Sequence, residues 1–444
     1  MKKSVTVLLL IFAVLLLFCI YSRGFFALID LSKNTGYIFS VLSFVIIIAF
    51  AVISYWKRKR PIITADFLQP LFFIFIAILS ALITAIKYQV WIESFSYVFI
   101  LFFIYWSFVW ISSFEFVYDT VPRILFQAVF VMSLVLFVAA LWEQSPWFPV
   151  STLDVTNTDR LVTKGFPGHS SIYGTIVRPA SLTGSMLHYP IIIPLFGAII
   201  LRFGNRWRKI AGVIFFLAPL LTFSRSGILI VLVSAFLFLI YRGSSRFIVW
   251  LKKTDLKFIL RKLIPVFAGV IASAFCIILL YLLLPPFGNF FNIIGERLTD
   301  LKAQGNISRY IVWSEMLNRY FKTNLIIGEM TGFYTNITGN IFGLDRMHAF
   351  YGKYGPSPES SFMEVLTGFG FLGAAVFYGT FIGVFCRLFF KQKEHFLGFV
   401  FLAAVIQSLF YQSIEVLPFM FALGLIPFFV NNKPGGTLFP EESK

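Results

Sequence analysis

The sequence predicts an all-α polytopic membrane protein, a fold class that three observations carry. Of its 444 residues, 59% are hydrophobic and only 13% charged, and the mean hydropathy is +0.86. Apolar runs repeatedly reach the roughly 20 residues that a helix needs to cross a bilayer core. Lys and Arg gather in alternate connections between those runs, the pattern that sets orientation in a membrane. The whole chain, 1–444, reads as one integral membrane domain.

The first run, about 5–22, has no small-residue cleavage site, and bulky Phe18 before Cys19 spoils a lipoprotein signal. It is read as a span, not a leader. The second, 36–55, closes at Trp56 and the basic block Lys57–Arg60. Then come 66–86, opening at Asp66, 91–111, opening at Trp91, and 123–142, closing at Trp142. The run 184–203 leads into the basic stretch Arg202–Lys209, and 209–224 is parted from 226–241 by Arg225 alone. The run 263–284 stops at the breaker Pro285-Pro286. Runs at 361–386, 396–413 and 415–431 complete twelve expected spans, ahead of a cytoplasmic tail at 432–444. Trp56, Trp91, Trp142, Trp147, Trp207 and Trp250 fall at proposed span ends, where an interfacial aromatic belt places them. Cys19, Cys276 and Cys386 all lie inside spans, which argues against a disulfide framework or a thiolate metal cluster.

With the N-terminus inside, inner segments hold 23 of the 37 basic residues and 7 of the 20 acidic ones. Outer segments then hold 14 basic and 13 acidic residues, so the inner face nets +16 and the outer face +1. The pI near 9.8 is thereby topological, not the mark of a nucleic-acid groove. Both termini are expected in the cytoplasm.

Polar chemistry collects in two outer loops, 143–183 and 285–360. The larger, 76 residues long, is expected to carry a short surface helix, Ser308–Phe321, with Ser308 as N-cap and Tyr310, Trp313, Leu317 and Phe321 at helical spacing. Arg309, Arg319 and Lys322 would project from it toward ligand, or form a solvated face. Arg225 stands in Leu221-Thr-Phe-Ser-Arg-Ser-Gly227 at the outer boundary. An Arg at bilayer-centre depth costs roughly 2.5–3.5 kcal/mol, less at the interface, and something must solvate it. Lipid headgroups can do so. A bound anion can too, since a guanidinium fork suits phosphate bidentately, with Ser224 and Ser226 adding hydroxyls. Arg178 opens a similar Arg-Pro-Ala-Ser-Leu-Thr-Gly-Ser segment. Together the outer arginines fit a multiply charged phosphate ligand better than each does singly.

Ser357-Pro358-Glu359-Ser360 reads as a helix start, with Ser357 as N-cap and Pro358 first in the helix. Glu359 is either a helix-dipole acid or the carboxylate for proton abstraction where the loop re-enters the membrane. His348 and Glu329 are the alternatives to it, and Glu364 is expected to face the interior. Gly368, Gly370, Gly373, Ala374, Ala375 and Gly379 read as small residues for close helix packing.

Four stretches, in this order, resemble the O-antigen ligase and polymerase (Wzy-type) superfamily over roughly 175–385: Arg178–Ser185, Leu221–Gly227, Arg309-Tyr-Ile-Val-Trp313 with Asn324-Leu-Ile-Ile-Gly328, and Glu359–Gly373. They are similar, respectively, to that family's Arg-x-x-Ser/Gly-x-x-Gly segment, its Ser-Arg-Ser/Gly-Gly signature, its Arg-x-x-x-Trp and Asp/Asn-Pro-x-x-Gly pattern, and the segment leaving its large outer loop. Two departures stand out. Leu325 replaces the Pro, and Glu359-Ser360 stands where ligases of the family carry His-Asn, which favours the polymerase branch.

The resemblance implies a GT-C-like, metal-independent glycosyltransferase with no cofactor, set in the bacterial inner membrane with its site on the periplasmic face. An undecaprenyl-pyrophosphate-linked glycan is the implied donor. An acceptor sugar hydroxyl attacks the anomeric carbon with inversion, building O-antigen, capsule or exopolysaccharide. Arg178, Arg225, Arg309 and Arg319 with Ser224 and Ser226 would bind pyrophosphate or glycan; Glu359, Arg225 and His348 would act in catalysis. Membrane lipids and chain-length regulator and flippase proteins are the implied partners. An O-antigen ligase acting on the lipid A core of lipopolysaccharide is the near rival. A twelve-span transporter or flippase is the rival from another class, though two similar halves are not visible.

Overall fold

The computed structural model describes residues 3–22, 38–39, 41–43, 45–46, 65–113, 120–144, 179, 181–183, 187–222, 224–251, 304–333, 335 and 360–433; every regular element among them is helical. Eleven α-helices can be followed in chain order among these residues. They are α1 (Lys3–Tyr21), α2 (Ala65–Tyr88), α3 (Trp91–Ser113), α4 (Thr120–Glu143), α5 (Tyr189–Phe203), α6 (Arg206–Leu217), α7 (Arg225–Leu251), α8 (Gln304–Tyr320), α9 (Ser361–Cys386), α10 (His395–Phe410) and α11 (Leu417–Asn431).

Five stretches among the described residues are long and apolar enough to cross a membrane: Gln69–Tyr88, Trp91–Ser113, Thr120–Glu143, Arg225–Arg242 and Ser361–Lys391. Four shorter apolar helices, Thr6–Tyr21, Tyr189–Phe203, His395–Phe410 and Leu417–Asn431, pack among them. Large apolar side chains such as Phe75, Phe99, Phe236, Leu239 and Ile382 point outward, as they would toward lipid. The protein is a membrane-embedded helical bundle. Of the expected spans, 263–284 lies outside the described residues, and 36–55 is described only at a few helical positions.

Helix ends gather in two layers. At one end Arg202 holds Glu394 through Nε at 2.6 Å and Nη2 at 2.8 Å. There Arg387 Nη2 and Asn431 Nδ2 both donate to the Ser112 carbonyl, at 2.9 and 3.0 Å. Tyr241 pairs with His395 Nε2 at 3.0 Å, and Arg208 lies over the Phe126 and Phe130 rings. This is the basic end. At the loop end, Tyr21 donates to the Pro418 carbonyl at 3.1 Å and Gln144 to that of Leu221 at 2.7 Å. Helices α7 and α10 pack antiparallel, with Tyr241 against His395 and Phe399. From Tyr241 back to Arg225 is about 24 Å, and from His395 on to Phe410 about 22 Å, at 1.5 Å per residue. Arg225 and the end of α10 therefore share the loop end.

Several expected boundaries need correction. The run 209–224 is a 12-residue α-helix, Arg206–Leu217, continued by a 3₁₀ turn, Ala218–Thr222, whose larger rise per residue lengthens it. Helix α7 does not stop at Tyr241 but continues to Leu251. Helix α8 begins at Gln304, so Ser308 lies within the helix and is not its N-cap. The N-cap of α9 is Ser360, not Ser357: its hydroxyl accepts from Met363 N at 3.2 Å.

The largest correction concerns α9, expected as one straight span over 361–386. At Gly370 the backbone turns to φ 70°, ψ −174°, a region open essentially to glycine, and the helix breaks. The Phe362 and Tyr378 rings meet at 5.7 Å. A straight helix would hold those residues about 24 Å apart, so the halves fold back on one another. Residues 371–391, helix plus a π turn, are long enough by themselves to cross about 30 Å.

Candidate functional site

The break in α9 is filled by the chain segment that follows α8. Asn324 Oδ1 accepts from Ile326 N at 3.0 Å and Ile327 N at 3.3 Å, closing an Asx-type turn that ends at Gly328, φ 78°. The carbonyls of Leu325 and Ile326 then accept from Phe371 N at 2.9 Å and Leu372 N at 3.0 Å, the donors that the break exposes. On the other side of the break, the Gly368 carbonyl accepts from Thr331 Oγ1 at 2.9 Å and from Ser80 Oγ. Ser94 Oγ donates to the Thr331 carbonyl at 3.1 Å, and Thr84 Oγ1 accepts from Thr331 N at 3.2 Å. A Cβ on Gly370 would lie 2.3 Å from the Ile326 carbonyl oxygen, and one on Gly328 2.6 Å from Gly370 N. Gly370 thus admits a loop and not a neighbouring helix, which corrects its expected use, while a Cβ on Gly368 would meet only an ordinary contact, Thr331 at 3.8 Å. Gly373 does face α2, its Cβ position 3.5 Å from Ile76. Glu329, an expected alternative base, pairs with Lys87 and accepts from Asn324 N at 3.2 Å, so it braces this loop.

Around Arg225 the chain is tightly determined. Thr222 Oγ1 donates to the Pro219 carbonyl at 2.7 Å and accepts from Ser224 N at 3.2 Å, fixing the turn into α7. The Ser224 carbonyl closes the first turn by accepting from Ile228 N at 3.0 Å. A Cβ on Gly227 would stand 2.5 Å from the Pro190 carbonyl oxygen, so α7 can start against α5 only with glycine there. Ser224 and Ser226 are both buried and bonded to one another at 2.9 Å. Arg225 is half-buried, and the buried Glu143 at the end of α4 lies within electrostatic range of Tyr189. The guanidinium stands at the positive end of a helix, where two positive potentials add and an anion is favoured.

Helix α8 presents a shallow open hollow lined by Tyr310, Ile311, Ser314, Glu315, Asn318, Arg319 and Lys322. Arg319 is paired with Glu315 one turn earlier on the same helix, so part of its charge is met locally. Tyr320 is anchored beneath: its hydroxyl donates to the Leu325 carbonyl at 2.5 Å, and burial pushes the phenol up to about 12. Arg309 belongs to α8 by backbone. Arg178, His348 and Glu359 lie outside the described residues.

A second polar cluster escapes the sequence reading. Glu364 and Glu415, 4% and 8% exposed, are bridged by one amide: Gln412 Nε2 donates to Glu364 Oε2 at 3.1 Å and to Glu415 Oε2 at 2.8 Å. The Tyr97 hydroxyl bonds to the other oxygen of Glu364, and Thr335 Oγ1 to the other oxygen of Glu415. Glu364 facing the interior is as expected, but Glu415, Tyr97 and Gln412 were not singled out. The available signal was a carboxylate on each side of short apolar runs, which a membrane protein rarely carries without use. No protein-family model matches this chain, and no curated protein sequence matches it.

Proposed function

We propose that this chain is a glycosyltransferase drawing glycan from a polyprenyl-diphosphate carrier, and that it acts as a polysaccharide polymerase on the outer leaflet of a bacterial inner membrane. In that reading the bundle has twelve spans in a GT-C-like arrangement, both termini are cytoplasmic, and the loop end is periplasmic. The observation that carries it is the half-buried Arg225 at the N-terminus of α7, beside a buried hydroxyl pair and at the end of the bundle that also holds the α10–α11 connection. A diphosphate is already a good leaving group. Its departure calls for fixed positive charge on the developing anion and for a held acceptor hydroxyl. Arg225 and the helix end beneath it supply such charge, and Arg178 and Arg309 would add to it. Basic residues such as Arg202, Arg206, Arg208, Lys209 and Arg242 cluster at the opposite end, in keeping with that end facing the cytoplasm.

A transporter is the second reading, favoured by the broken α9, since discontinuous helices often hold transported ions. Here, though, loop carbonyls and hydroxyls occupy the backbone groups flanking the break. The test uses full-length protein in proteoliposomes with an undecaprenyl-pyrophosphate oligosaccharide. Wild type should yield a ladder of repeats, and Arg225→Ala should lower kcat about 10²–10³-fold, as losing one oxyanion donor does elsewhere. Wild-type chain length in Arg225→Ala takes that residue out of the site. Movement of the lipid across the bilayer without a new glycosidic bond reverses the choice between readings.

A further inference from the structure

The pair Glu364–Glu415 is left without a role by the reading above. We propose that these two carboxyl groups receive the proton that the acceptor hydroxyl gives up during glycosyl transfer. This rests on the transferase reading. As the acceptor oxygen bonds to the anomeric carbon, the bond from that carbon to the diphosphate oxygen breaks, and the diphosphate leaves with the electron pair. The hydroxyl proton is handed to the pair, and no further reactant is consumed.

Four observations lead there. First, each carboxylate oxygen has a donor, and the donors come from α3, the loop ahead of α9 and the α10–α11 connection, so the pair is held from several directions. Second, Glu364 lies in the first turn of α9, whose N-terminus favours negative charge. Third, Gln412, which bridges both carboxyl groups, is only half-buried, so the pair sits one side chain below the loop end. Fourth, the Tyr378 hydroxyl is enclosed without a well-formed hydrogen bond among the described residues, beside Ser408 and within electrostatic range of Glu364.

A structural role explains this poorly. Two acids brought this close in an apolar interior cost more than an amide and an acid would. Such groups titrate as a unit, so the pair takes up a proton as one base. Among the described residues, the titratable groups facing Glu364 are Glu415 from the α10–α11 connection, Tyr97 from α3 and Tyr378 from the second half of α9. Nearby Gln407 and Ser408 of α10 and Ser361 of α9 are neutral. Glu364 and Glu415 act here as positioning and proton-holding residues at one remove from the sugar.

The experiment measures kcat, and KM for an undecaprenyl-pyrophosphate oligosaccharide, against pH in proteoliposomes. Wild type is compared with Glu364→Gln, Glu415→Gln and Tyr97→Phe. Glu364→Gln should lower kcat about 10²–10³-fold, within the usual range for a lost general base, and flatten the acid limb of the profile. KM for the donor should stay within about twofold, because ground-state binding is untouched. Tyr97→Phe, which keeps the ring packed on Phe369, should displace the acid limb, and it decides the matter if the glutamine variants fold poorly. Active wild type whose acid limb survives in Glu364→Gln, or stands unmoved in Tyr97→Phe, overturns this inference alone. Wild type that forms no glycosidic bond removes the transferase reading and this inference with it.

Discussion

Gly370→Ala tests the architecture most directly. Alanine at φ 70°, ψ −174° carries about 1–3 kcal/mol of backbone strain. Its Cβ would also stand 2.3 Å from the Ile326 carbonyl oxygen and 2.7 Å from Gly328 N, both backbone atoms that cannot swing aside. Relief requires the loop to withdraw, which breaks the bonds from Phe371 N to Leu325 and from Leu372 N to Ile326, at 2.9 and 3.0 Å. Each buried donor left open costs about 1–3 kcal/mol. The expected loss is therefore about 3–9 kcal/mol, a large share of the about 5–15 kcal/mol that holds a typical domain folded.

Thermal unfolding of purified protein in detergent, followed by limited proteolysis, reads this out. Gly370→Ala should unfold at a lower temperature and be cut within 324–333, where wild type resists. Gly383→Ala on the same helix is the control, since a Cβ there meets nothing within 4 Å. It should be neutral, or stabilising by up to about 1 kcal/mol through helix propensity. A Gly370→Ala protein with wild-type melting and wild-type protease resistance would falsify the inserted-loop account.

Two further outcomes concern anchoring. Tyr320→Phe removes the donor to the Leu325 carbonyl and should cost about 1 kcal/mol, seen as faster cleavage of the same loop. Because burial raises the Tyr320 phenol from 10.0 to about 12, its stabilising contribution is complete below pH 10 and is lost as pH climbs through 12. Wild type should show that alkaline loosening, and Tyr320→Phe should show less of it. At the basic end, Arg202→Ala strips the fork from the buried Glu394 and should destabilise by about 1–2 kcal/mol, the exposed guanidinium being partly screened. Adding Glu394→Gln should restore part of that loss; no recovery in melting temperature would mean the pair is not coupled.

Much of the bundle is legible from apolar runs, because span length is set by the bilayer. The expected 66–86, 91–111 and 123–142 correspond to α2, α3 and α4 within a few residues. What failed was punctuation. Ser357-Pro358 outranked Ser360 as a cap because proline at a first helical position is a strong local signal, whereas Ser360 also donates to the Leu409 carbonyl at 2.6 Å, a tertiary contact no local pattern holds. The small residues of α9 looked like helix-packing positions since G-x-G in an apolar run carries no sign of positive φ. A clue was present on α2: Ser80 and Thr84, one turn apart, place hydroxyls on one face of an otherwise apolar helix. Such a face asks for a polar guest, and the loop is that guest. Glu364 and Glu415 stand far apart in sequence, and their meeting depends on the α10–α11 connection bonding back to Ser361.

The inserted loop and the acid pair are linked by the same break. A helix interrupted in an apolar interior strands donors and acceptors that lipid cannot satisfy. The loop satisfies them only because Gly328 and Gly370 let two backbones approach, so neither half of the arrangement is stable without the other. Once the break exists, the first half of α9 is free to take a direction of its own. That direction puts its N-terminus, with Ser360 and Ser361 tied to Leu409 and Tyr411, where Glu364 reaches Gln412. A straight α9 packed along α2 and α10 would carry Glu364 away from the connection that supplies Glu415. The cost of breaking the helix is thus tied to the placing of one carboxyl group. On the proposed transferase reading, Gly370→Ala should therefore impair glycosyl transfer together with stability, while Gly383→Ala leaves both intact.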